Sequence, residues 1–81
     1  MKTEQEAMQV RWHGNFLMRA SAVFRLGRWY PQFSLRRYDG FEAPLRIPIA
    51  PGHKERDEAV EAAVGLAIDE INYWRWANPR A

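Results

Sequence analysis

Apolar and polar residues alternate along the first part of the chain, the period that sends successive side chains to opposite faces of a β-strand. Four strands follow from it, at about residues 8–12, 16–25, 29–38 and 41–49. In the first, Met8, Val10 and Trp12 share one side and Gln9, Arg11 and His13 the other. In the second, Phe16, Met18, Ala20, Ala22 and Phe24 oppose Leu17, Arg19, Ser21, Val23 and Arg25. In the third, Phe33 and Leu35 oppose Tyr30, Gln32, Ser34, Arg36 and Tyr38; in the fourth, Phe41, Ala43, Leu45, Ile47 and Ile49 oppose Glu42, Pro44, Arg46 and Pro48. The two prolines share a parity, which suits an edge strand because proline cannot donate to a ladder. His13-Gly14-Asn15, Leu26-Gly27-Arg28 and Asp39-Gly40 mark the reversals, the last a strong hairpin signal.

After Ala50-Pro51-Gly52-His53 the period changes. A helix is expected from about 54 to 77, stopped by Asn78-Pro79, with Glu55, Asp57 and Glu58 near its positive N-terminal end and Arg75 near its C-terminal end. Val60, Ala63, Val64, Ala67, Ile68, Ile71 and Trp74 line one stripe. Packed on the apolar strand faces, that stripe gives a two-layer α+β fold: an antiparallel β-meander of three to four strands covered by one long C-terminal α-helix, as a single domain over 1–81. Val64, Ile68 and Ile71 are expected against Phe33, Leu35, Leu45 and Ile47.

Trp12-His13-Gly14, then Gly27 with Trp29 and Pro31, a proline-containing strand, Asp57-Glu58-Ala59 and Ile68-Asp69 together resemble small stand-alone bacterial domains of unknown function. That resemblance spans residues 12–71. It implies a meander followed by one helix and a bacterial cytoplasm, and it implies no activity. The order of strands and helix is also similar, in topology, to small whirly-type single-strand-binding domains.

Composition removes several classes. Of 81 residues, 47% are apolar and 14% aromatic, too many for a disordered chain. No apolar run approaches the length of a membrane span, so no membrane partner is expected. Glu4 and Glu6 interrupt the start, unlike a secretory signal. There is no cysteine, hence no disulfide, thiol nucleophile or thiolate zinc site, and a cytoplasmic location is expected. Thr3, Ser21 and Ser34 lie in no nucleophile motif; His13 and His53 lack the spacing of a metal pair; the single glycines form no phosphate-binding loop. No enzyme, cofactor or metal is expected.

Charge is uneven. Residues 1–53 carry eight basic and four acidic side chains, a net of +4; residues 54–81 carry four basic and six acidic, a net of −2. Two surfaces follow. The helix bears a second apolar line, Ala59, Ala62, Leu66 and Tyr73, with Trp76 beyond it, which would serve a protein partner, in the first instance a second copy in a homodimer. The sheet face away from the helix collects Arg11, Arg19, Arg25, Arg36 and Arg46 with Tyr30 and Tyr38, a composition suited to a single nucleic-acid strand. A small non-enzymatic, self-associating interaction module is the first expectation, and a single-stranded nucleic-acid-binding domain the alternative.

Overall fold

The computed structural model describes residues 8–77, leaving out the side chains of Pro44, Arg46 and residues 75–77. Four antiparallel strands precede one helix: β1 (Gln9–His13), β2 (Phe16–Arg25), β3 (Arg28–Arg37), β4 (Glu42–Arg46) and α1 (Arg56–Ala77). The strands lie side by side in chain order, and α1 covers one face, giving a two-layer α+β fold. No helix among the described residues is long and apolar enough to cross a membrane.

The turns follow local chemistry. Leu26 and Gly27 both take positive φ, 51° and 78°, between the paired Arg25 and Arg28. That is the mirror-image turn whose twist matches a two-residue hairpin. At the next reversal the Gly40 N–H donates to the Arg37 carbonyl at 2.9 Å and the Arg37 N–H to the Phe41 carbonyl at 2.7 Å. Gly40, at φ 97°, forms the bulge that closes this three-residue loop.

Phe16, Met18 and Ala20 of β2 and Pro31, Phe33 and Leu35 of β3 are buried beneath Ala59, Val60, Ala63, Val64, Ala67 and Ile71 of α1. Alanines at 20, 63 and 67 allow helix and sheet to approach closely, and larger side chains close the surrounding space. Pro31 sits in an interior strand without cost to the ladder. Alternate residues of β3 turn their main chain away from β2: Phe33 meets Arg46 of β4, and Trp29 exchanges two hydrogen bonds with His53. Pro31 lies between these contacts, where no strand needs its N–H.

Three expectations are corrected. First, β1 presents the opposite faces. A two-residue turn pairs His13 with Phe16, and paired residues share a face, so the buried Phe16 draws Gln9, Arg11 and His13 to the helix side. Gln9 Nε2 donates to Glu61 Oε1 at 2.8 Å, and His13 Nε2 lies 3.4 Å from Asn72 Oδ1, both on α1. Val10 and Trp12 are left on the open face.

Second, among the described side chains of β4 only Ala43 packs against the core. Leu35 faces Ala43, but Phe33 faces Arg46, so an extra residue lies between them. Such a bulge reverses the alternation. Leu45 is 57% exposed, Ile47 and Ile49 are also exposed, and the strand ends at Arg46.

Third, the core stripe on α1 is wider on one side than expected. Ala59 is fully buried, and Leu66 packs against the core with Ile68 and Trp74. Ala59 is therefore part of the chain's own interior, and the outer helix line shrinks to half-buried Ala62 and Leu66 with exposed Tyr73. The side chain of Trp76 lies outside the described residues.

Candidate nucleic-acid interface

The strand registers order the open face in rows. At one end Trp12, Leu17, Arg36 and Glu42 lie across the four strands; beside them run Val10, Arg19 and Ser34; then Ser21 with Gln32, Val23 with Tyr30, and Arg25 with Arg28. Four arginines thus share this face, and Glu42 is the only acid in these rows among the described residues. Its Oε1 is 3.8 Å from Arg36 Nε, with both side chains more than half exposed. Such a pair is weak and screened by salt, so it does little to restrain Arg36.

Of the residues expected here, Arg19 and Arg36 border one depression and Arg36 and Tyr38 another, while Arg25 lies at the far end beside Arg28. Arg11 is on the helix side, where its guanidinium donates to Gln9. The side chain of Arg46 lies outside the described residues; its backbone pairs with Phe33. Tyr30 is half-buried because Gly52 lies against it: a Cβ built on Gly52 would be 3.0 Å from Tyr30 Cζ. Trp12, Leu17 and Arg28 were not among the expected residues. The signal for Trp12 is the two-residue turn at Gly14-Asn15, which ties the face of β1 to Phe16.

Two depressions mark the row at the Trp12 end. One, of about 250 Å³, is lined by Trp12, Leu17, Arg36, Arg37 and Tyr38. The other, of about 180 Å³, shares Leu17 and Arg36 and adds Arg19, Ser34 and Glu42. Trp12 and Tyr38 are 59% and 70% exposed.

The β3–β4 turn that carries Tyr38 is fastened from below. Arg37 Nε donates to Asp39 Oδ1 and Arg37 Nη2 lies by Asp39 Oδ2, each at 2.9 Å, and the Phe41 N–H donates to Asp39 Oδ1 at 3.2 Å. The Arg37 hydrogen bond, with the Phe41 amide second, holds the Asp39 carboxyl below its ordinary pKa; the same hydrogen bond raises Arg37 further above its already high value. The Arg37 guanidinium lies 5.2 Å from the ring centres of both Phe41 and Trp74. The Tyr38 N–H donates to the Asn15 carbonyl at 2.9 Å, joining this turn to the β1–β2 turn. Arg37 is thus committed to structure, and Arg36 is left to the open face.

The two histidines are far apart. His13 pairs with Phe16 at one end of β2, and His53 pairs with Trp29, opposite Phe24, at the other. At ~3.3 Å per residue they are roughly 26 Å apart along the strand. Ser21 Oγ accepts a hydrogen bond from Gln32 Nε2 at 2.9 Å and has no base beside it in that pair. No protein-family model, curated protein or solved structure matches the chain.

Proposed function

We propose that this chain is a non-enzymatic binding module whose open sheet face holds single-stranded nucleic acid. One observation carries the reading: among the described residues, Arg19, Arg25, Arg28 and Arg36 share a face with a single acid. Guanidinium groups neutralise phosphates and release their counterions, and exposed aromatic rings among them offer flat partners for unpaired bases. The acids of α1 flank the opposite layer, so the field points a polyanion to the sheet.

Four phosphate contacts give a log–log salt slope of about −3 for a single strand. The expected result is binding of a labelled oligothymidylate at about 50 mM salt that weakens along that slope, with Arg19→Ala and Arg36→Ala each flattening it by about 0.7. Glu61→Ala, on the helix side, leaves it unchanged. No binding by the wild type at low salt removes the reading.

Self-association is the second reading, favoured by the exposed Leu45, Ile47 and Ile49 beside the sheet edge rather than by the helix. Light scattering at micromolar concentration is expected to give the mass of a dimer, and Ile47→Lys that of one chain. A monomeric wild type removes it.

A further inference from the structure

We infer that the cleft between Trp12 and Tyr38 is a slot for one unpaired nucleobase of a single strand. The inference rests on the nucleic-acid reading and names the part of that surface which recognises bases rather than phosphates.

Trp12 and Tyr38 extend from β1 and from the turn following β3, with β2 between them. Trp12 lies in the row of Leu17 and Arg36, and Tyr38 two residues beyond Arg36, so at ~4.8 Å per strand and ~3.3 Å per residue their backbones stand roughly 12 Å apart. A ring in van der Waals contact on both sides needs ~7–8 Å. Long side chains leaning in from both sides can close to that width, and Trp12 and Tyr38 line one cleft together with Leu17, which sits on the strand between them. Its volume, about 250 Å³, falls below the ~300–1,000 Å³ of pockets that enclose drug-sized ligands. It suits one ring system.

The walls face water. Trp12 is 59% and Tyr38 70% exposed, although both are large and Trp12 lies within a strand. A stacked base would remove apolar area from water on both rings at ~25 cal/mol per Å². Leu17 offers no hydrogen bond to a base edge, and of the two guanidinium groups at the cleft Arg37 is engaged by Asp39 and Arg36 is the one open to phosphate, so the slot reads the π-face and is tolerant of sequence. In a duplex those π-faces are already stacked on neighbouring pairs.

Arg36 supplies the charge. It lines both this cleft and the neighbouring depression that holds Arg19, Ser34 and Glu42. A cation on the ridge between two depressions is placed to meet the phosphate that joins two successive nucleotides. The second depression has polar groups and no aromatic ring, so stacking is confined to the first.

The test compares the full chain with Trp12→Ala and Tyr38→Ala on two ligands: labelled oligothymidylate, and an oligomer of equal length made of abasic sugar-phosphate units. Each variant is expected to weaken oligothymidylate binding about 5- to 100-fold while leaving the salt slope unchanged, because stacking releases no counterions. Trp12→Phe is expected to recover most of the loss. The abasic oligomer is expected to bind wild type and variants alike, no more tightly than Trp12→Ala binds oligothymidylate, because it lacks the stacking on both rings. Unfolding curves verify that the exposed substitutions leave the fold intact. If the wild type binds oligothymidylate along the expected slope but Trp12→Ala binds within two-fold of it, the slot is overturned and the charged face stands. If the wild type binds neither ligand at low salt, both fall.

Discussion

Replacing Ile71 by alanine is expected to lower the unfolding free energy by about 2–5 kcal/mol, read as a shift in the urea midpoint at unchanged slope. Ile71 is wholly buried and borders, with Phe16, Leu35 and Trp74, a small existing depression that a shorter side chain would enlarge. A chain of this length commands only about 4–12 kcal/mol in total. The substitution therefore removes a large share of it and brings a marginal fold close to unfolding. Ile68→Ala is the internal comparison. Ile68 belongs to the same sequence stripe but is half-buried at its margin, so its loss is expected to be smaller. Equal losses at the two positions would mean that the rotation of α1 over the sheet differs from the one described.

The second large effect is expected at Gly52. An alanine Cβ there would lie 2.7 Å from Arg28 Cβ and 3.2 Å from Arg28 Cγ, in addition to its contact with the Tyr30 ring. Arg28 Cβ is fixed to a strand and cannot swing aside, so the segment carrying Gly52 must lift. The adjoining Trp29–His53 pair, with hydrogen bonds of 2.8 and 2.7 Å, would then stretch or part. Gly52→Ala is expected to cost about 1–3 kcal/mol, the usual range for an overpacked contact. Hydrogen exchange localises it: the Trp29 and His53 amides should exchange faster, while protection at Met18 falls only as far as global stability does. Unchanged exchange at Trp29 and His53 would show that the segment absorbs the methyl group without moving.

Most of the architecture was legible in period and turn chemistry. The parities of β2 and β3, the Asp39-Gly40 reversal and the burial of Val60, Ala63, Val64, Ala67 and Ile71 all follow from residue order. The failures occur where alternation alone decides nothing. A strand such as Gln9–His13 has large apolar residues on one parity and polar ones on the other, yet a one-sided sheet has two faces on which either set can lie. The length of the Gly14-Asn15 turn settles it, and it does so against hydropathy. In β4 a single unpaired residue between Ala43 and Arg46 reverses the pattern, and nothing in Phe41 to Ile49 marks where a bulge will fall.

The candidate site inherited both errors. Arg11 left the open face when β1 turned over, and Trp12 arrived there for the same reason. Arg19 and Arg36 remain together on the open face because the β2–β3 register is the part most strongly specified, by a two-residue turn and two long alternating strands. Hydropathy alone sets Trp12 with Met8 and Val10 on an apolar side and says nothing of its reaching the open face. The exposure of its ring is visible only once the turn geometry is followed through.

The order of elements also bears on how the chain is made. Every strand pairs with its neighbour in sequence, so the sheet needs only short loop closures, each about as fast as hairpin formation. Its apolar face has no cover, however, until α1 has been synthesised. At ~5–20 residues per second, the 31 residues from the end of β4 at Arg46 to the end of α1 at Ala77 take roughly 2–6 seconds to translate. For that interval a nascent sheet would present Phe16, Met18, Phe33 and Leu35 to its surroundings. Cooperative folding of the two layers thus waits for the helix to emerge, and the ribosome-bound chain is the state in which this sequence is most exposed to chaperones and to aggregation.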